Sequence, residues 1–148
     1  MLPEWELVTR LIIAALLGSF IGFEREHLNK AAGLRTHMLV SLGSCLFMIV
    51  SAYSFTNNQN LDPTRIAAQV VSGIGFLGAG SILMKGKVVA GITTAASIWS
   101  VAAVGLAVGC GMYVEAISAT IIVLLILLGV GHFEKSVIKK QNKNKRIK

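Results

Sequence analysis

Three sets of polar side chains recur at i, i+4 and i+7 and therefore share single helical faces: His37, Ser41 and Ser44; Arg65, Gln69 and Ser72; Thr93, Ser97 and Ser100. Each set sits in an otherwise apolar run. Hydroxyls, an imidazole and an amide at this spacing can hydrogen-bond between helices, or line a path for an ion or a proton. Ser and Thr suit the first role. Arg65 and Gln69 are harder to explain by packing. An amide carries two donors and an acceptor, so Gln69 is expected to face the bundle, with Arg65 and Ser72 turned the same way. With Thr93 and Ser97 they form the candidate functional face.

Other chemistry is thin. Magnesium and calcium need hard oxygen ligands, usually including carboxylates, and the chain has 7 Asp and Glu. None falls in the middle of an apolar run. Glu4 with Glu6, and Glu24 with Glu26, are spaced i, i+2 and point to different sides of a helix. There is no H-E-x-x-H, no G-x-S-x-G and no phosphate-binding loop. Residues 73–78 read G-x-G-x-x-G but lie inside an apolar run, with no preceding strand and no acid about twenty residues on, so a nucleotide site is rejected. No enzymatic activity, no cofactor and no metal site is expected. Cys45 and Cys110 lack metal-ligand spacing. Their depths differ by about 10 Å at the helical rise, against about 6 Å between disulfide-bonded Cα atoms, so no bridge is expected.

The elements that must position these residues follow from hydropathy. Hydrophobic residues make up 54% of the 148, and charged residues 14% against about 25% in a soluble domain. Lipid is the natural solvent for such a chain. Five stretches approach the roughly 20 apolar residues that span a bilayer as a helix: 5–23, 38–55, 66–84, 88–108 and 113–130. Glu4 and Glu6 ahead of the first argue for a retained span rather than a signal peptide. The break between the fourth and fifth rests on Gly109 and Gly111.

Charge orients the five. Arg25, Lys30 and Arg35 lie in the first connection, Lys85 and Lys87 in the third, and Lys135, Lys139, Lys140, Lys143, Lys145, Arg146 and Lys148 in the tail. The stretches 57–64 and 109–112 carry no Lys or Arg, and Arg10 and Arg65 fall near helix ends on that side. Positive charge marks the cytoplasmic face, which places the amino terminus outside and the carboxyl terminus inside. The expected architecture is an all-α polytopic membrane bundle over residues 1–133, with a solvated basic tail at 134–148. Phe133 is the tail's only neighbour able to stack on a base, so the tail reads as a topology signal and not as a nucleic-acid site.

Small residues should set the packing, because lipid provides little hydrophobic drive between helices. Gly18 and Gly22 follow Ala14 on the first span, Gly73, Gly75, Gly78 and Gly80 mark the third, and Gly105 and Gly109 the fourth. Packing within the chain is their first expected use, and a homo-oligomer or moving interface the second. Glu24 ends the first span and Arg35 precedes the second, so they are expected to pair as a latch; Glu115 is placed to reach Arg65 or Arg10.

Residues 32–36 (AGLRT), 65–80 (RIAAQVVSGIGFLGAG) and 91–99 (GITTAASIW), with GFER at 22–25, are similar to the motifs of the MgtC/SapB family across about residues 7–131. That resemblance implies a bacterial inner-membrane protein tied to magnesium limitation, acid stress and survival inside host cells. It implies a non-enzymatic regulator acting on a membrane protein partner such as the rotary ATP synthase, with a transporter or channel for magnesium or another solute as the alternative. Many members carry a soluble carboxyl-terminal domain resembling ligand-binding ACT domains, whereas this sequence ends on its short basic tail.

Overall fold

The computed structural model describes residues 2–53, 62, 64–85 and 88–145, with the side chains of residues 85 and 130–145 excepted. The expected outer turn before Pro63 and the side chains of the basic tail lie outside the described residues. In chain order the elements are α1 (Glu4–His27), α2 (Leu34–Tyr53), α3 (Thr64–Gly80), β1 (Leu83–Lys85), β2 (Val88–Ala90), α4 (Ile92–Gly109) and α5 (Tyr113–Lys145). The chain is an all-α membrane helix bundle with one small hairpin.

α1 suits its dipole, with Glu4 and Glu6 in the first turn and Arg25 and His27 in the last. It ends in a left-handed residue, Asn29 (φ 51°), while Lys30 N–H closes back on the Arg25 carbonyl at 3.0 Å. Asn tolerates that conformation better than most non-glycine residues. Trp5, Val8, Ile12, Leu16, Phe20 and Phe23 form an exposed apolar stripe along α1, the face suited to lipid chains. α1, α2 and α4 are long and apolar enough to cross a membrane, and Tyr113–Gly129 is a shorter apolar segment of α5. α3 has 17 residues, about 25 Å of helix, against a hydrocarbon core of roughly 30 Å.

One expectation for the element boundaries is corrected. The third and fourth spans were expected to reach residues 84 and 88, yet Leu83–Lys85 and Val88–Ala90 pair as antiparallel strands, with Met84 opposite Val89. The cause is local. Ser81 ends α3, its hydroxyl and N–H both donating to the Gly78 carbonyl at 2.7 and 3.0 Å. Gly91 then takes φ 96°, a left-handed conformation open to glycine, and packs so closely on the Ser81 carbonyl that any Cβ would overlap it. Apolar strand residues had lengthened both runs. At the other end, α5 keeps its helical backbone to Lys145, well into the stretch read as tail.

α1, α2 and α4 form the heart of the molecule; α5 covers α4 and α1, and α3 packs on α4 and α2. The core has two clusters. Ala14, Leu17, Cys45, Ile49, Val104, Val108 and Ala116 fill one half, and Ile21, Ala32, Val40, Ile74, Ile98, Val101 and Ala102 the other. Between them the helices approach through glycines. A methyl group at Gly18 would lie 2.6 Å from the His37 carbonyl, and one at Gly22 2.8 Å from Leu34 Cα. One at Gly105 would overlap the Ser41 carbonyl, and one at Gly109 would lie 2.8 Å from the Cys45 carbonyl. Gly73, Gly75 and Gly80 differ: among the described residues nothing lies within 4 Å of where their side chains would start. Cys45 is buried and Cys110 exposed, both as free thiols.

Candidate functional site: a buried polar seam and an uncovered helix face

The first polar set lies where α2 meets α1 and α4. His37 and Ser41 have no exposed surface and Ser44 has 3%. Imidazole Nδ1 lies 2.9 Å from the Gly33 carbonyl and Nε2 lies 3.0 Å from Ser97 Oγ. Ser97 Oγ is also 2.8 Å from the Thr94 carbonyl. Among the described residues Ser41 Oγ is buried without a hydrogen-bond partner. Ser97 thus sits in the seam, but Thr93 does not. Thr93 is exposed, Thr94 is the buried threonine, and Ser100 is half-buried and bonded to the Ala96 carbonyl. The buried stripe of α4 runs through Thr94, Ser97, Ile98, Val101, Val104, Gly105 and Val108. The i, i+4, i+7 spacing tolerates a one-residue rotation, so the threonine that is buried is Thr94 and not the expected Thr93.

The expected Glu24–Arg35 latch is not formed. Glu24 pairs with its neighbour Arg25, whose Nε and Nη2 both donate to the carboxylate, the latter at 2.8 Å to Oε1. Both are buried, while Arg35 is exposed. The carboxylate that reaches the start of α2 is Glu26, which accepts from Leu34 N–H at 2.7 Å. Adjacent residues on a helix normally diverge, which is why sequence offered no signal for Arg25.

A second buried cation, Arg10, organises the opposite end. It is 5% exposed. Nη1 donates to the Gly109 carbonyl at 2.7 Å and to Tyr53 Oη at 3.0 Å, and Nη2 donates to Glu6 Oε1 at 2.7 Å. The guanidinium lies 5.5 Å from the Tyr53 ring centroid and 6.0 Å from that of Tyr113. This one side chain joins α1, α2 and the α4–α5 turn. The expected Glu115 contact is replaced by Glu6, and Glu115 is exposed. The i, i+4 spacing of Glu6 and Arg10 was the available signal.

Arg65, Gln69 and Ser72 share a face of α3 as expected, but all three are exposed rather than turned into the bundle. Ser72 Oγ donates to the Ala68 carbonyl at 3.2 Å. Ile74 and Gly78 are the buried residues of α3, so the helix turns its apolar side inward. Gln69 and Ser44 lie on the wall of a cavity of about 470 Å³ between α2 and α3, otherwise lined by apolar side chains and by Gly43 and Gly73. At the start of α3, Asp62 accepts from Thr64 N–H at 2.8 Å and Thr64 Oγ at 2.7 Å, which holds its carboxyl below the usual range. Among the described residues no three His, Cys, Asp or Glu side chains gather as metal ligands.

A family model described as the MgtC family matches residues 11–136, which include the seam, the α3 face and the hairpin. The chain belongs to the MgtC family. This MgtC-family chain is 47% identical over 144 residues to the "Putative magnesium transporter YhiD" of Escherichia coli K12, covering 94% of this chain and 66% of that protein. It is 43% identical over 135 residues to Protein SapB of Bacillus subtilis strain 168, covering 84% of this chain and 58% of SapB. It is 45% identical over 117 residues to Protein MgtC of Salmonella typhimurium LT2, covering 79% of this chain and 49% of MgtC. The chain thus spans about half to two thirds of these curated relatives. No solved structure matches it.

Proposed function

We propose that this chain is a non-enzymatic regulator in the bacterial inner membrane, tied to magnesium limitation, acid stress or survival inside host cells. It acts through a membrane protein partner, and the rotary ATP synthase is the partner the family resemblance names. The observation that carries this reading is the face of α3 that no described residue covers. Gln69 and Ser72 are exposed there, and among the described residues nothing lies against Gly73, Gly75 and Gly80. Gln69 sits where this face borders the α2–α3 cavity, and a primary amide left without a partner in hydrocarbon costs several kcal/mol. Small residues beside it let another helix approach closely. A protein helix seated on α3 satisfies both.

A transporter is the second reading, favoured by the cavity between α2 and α3 and by the magnesium in the name of the Escherichia coli relative. The lining argues against a cation path, since Ser44 and Gln69 are its polar side chains and magnesium demands several oxygen ligands. Two measurements separate the readings. Purified protein in liposomes should give no magnesium flux above protein-free vesicles. A photo-crosslinker at position 76 in native membranes should capture a discrete membrane protein, and Gln69→Leu should abolish capture while the protein stays folded. Flux that Gln69→Leu removes would establish the transporter instead.

A further inference from the structure

Both nitrogens of the fully buried His37 ring have fixed neighbours. The Gly33 carbonyl, 2.9 Å from Nδ1, can only accept, so Nδ1 carries a hydrogen. Ser97 Oγ, 3.0 Å from Nε2, has a single hydrogen and two candidate acceptors: Nε2 and the Thr94 carbonyl 2.8 Å away. With the ring neutral, the hydroxyl donates to Nε2. With a proton on Nε2, the ring donates to Ser97 Oγ and the hydroxyl turns to the Thr94 carbonyl. Each state satisfies both ring nitrogens, and the exchange needs only a hydroxyl rotation.

We propose that His37 is a buried proton-binding site, with Ser97 as the group that accommodates the proton by reversing its hydrogen bond. The ligand is a single proton delivered by water. The contact on the Gly33 side is only part-buried, which gives solvent an approach at the first turn of α2.

Burial opposes a charge on the ring, so the two hydrogen bonds must offset it, and the neighbouring charges add little net field. From α1, Glu24 and Arg25 lie near the ring as a mutually compensating pair, with Glu26 exposed beyond them. From α4 come the uncharged Thr94 and Ser97. α3 and α5 bring Ile74, Val123, Leu124 and Leu127 to the neighbouring cluster, and Arg35 on α2 itself is exposed. The bond from a cationic ring to Ser97 is stronger than its neutral counterpart, so occupancy tightens α2 against α4. α1 shares in this contact, since a methyl at Gly22 would already lie 3.0 Å from His37 Cβ.

The test is a pH titration of the full chain, labelled with ¹⁵N-histidine, in lipid nanodiscs. Variants His27→Gln and His132→Gln assign the signals by elimination. As pH falls from about 8 to about 4 the His37 Nε2 resonance should move from acceptor to donor values while Nδ1 stays protonated. Ser97→Ala should lower the midpoint by about one pH unit, a tenfold loss of proton affinity, because the charged donor loses more than the neutral acceptor. Ser97→Thr, which keeps the hydroxyl, should hold the wild-type midpoint. A His37 signal that does not titrate in this range overturns the proposal. So does a midpoint that Ser97→Ala leaves unchanged.

Discussion

Arg10 donates to the carbonyl of Gly109 at 2.7 Å, joining the second turn of α1 to the last turn of α4, 99 residues later in the chain. That carbonyl closes a helix and has no further turn to bond. Arg10→Met should therefore lower stability by about 3 kcal/mol, the scale of a buried charged network broken on one side. Glu6→Gln should cost less than Arg10→Met, because Glu6 is partly solvated and the amide oxygen can still accept from Arg10. Thermal unfolding in detergent reads both. An Arg10→Met protein that melts with the wild type would show that the network holds nothing together.

Glycines of the two classes should respond oppositely to alanine. Gly105→Ala forces a methyl onto the Ser41 carbonyl, with an overpacking penalty of about 1–3 kcal/mol. Gly73→Ala meets open space and should melt no lower than wild type, since alanine favours helix over glycine by about 1 kcal/mol. If Gly73→Ala is stable but fails to co-purify a membrane partner, its small surface serves that partner. Equal destabilisation by both would refute the distinction.

Charge pairing at the α1–α2 connection can be read from two variants. Glu24→Gln strips buried Arg25 of its counter-ion and should cost about 3 kcal/mol or abolish accumulation in the membrane. Arg35→Gln removes an exposed charge and should stay within about 0.5 kcal/mol. Matching losses would restore a Glu24–Arg35 pair.

The start of α3 should loosen in acid. Thr64 holds the Asp62 carboxyl below its unfolded value, so its contribution is present above that unfolded value. It is lost as pH falls through the lower folded one. Hydrogen exchange at the first turn of α3, corrected for the intrinsic rate, should quicken below the normal carboxylate range, and Asp62→Ala should remove that step. A pH-independent first turn would rule the cap out.

Helices were legible where apolar length and spacing coincide. The span expected at 5–23 is α1 with an added polar turn, because Glu24–His27 remains helical beyond the apolar part. The fifth starts at Tyr113, as the Gly109–Gly111 break implied. The set His37, Ser41 and Ser44 is buried, since three polar groups on one face of an apolar helix need protein around them. The hairpin was not legible, because Leu83, Met84, Val88 and Val89 are as apolar as a span and only the geometry at Ser81 and Gly91 bends them back. For Gln69 the need for a hydrogen-bonding neighbour could be read from residue type. Its exposed position could not, because hydropathy does not say which side of α3 packs on the bundle.

The uninterrupted backbone of α5 has a mechanical consequence. Its 33 residues extend about 50 Å, well beyond a hydrocarbon slab of roughly 30 Å. Helices bend far less readily than loops, so a tilt or twist imposed on the packed half between Tyr113 and Gly129 is carried along the same rod to Lys145 as a swing of its far end. Because α5 packs on α1 and α4, a small tilt of that packed part would move the far end of the same helix through a larger distance.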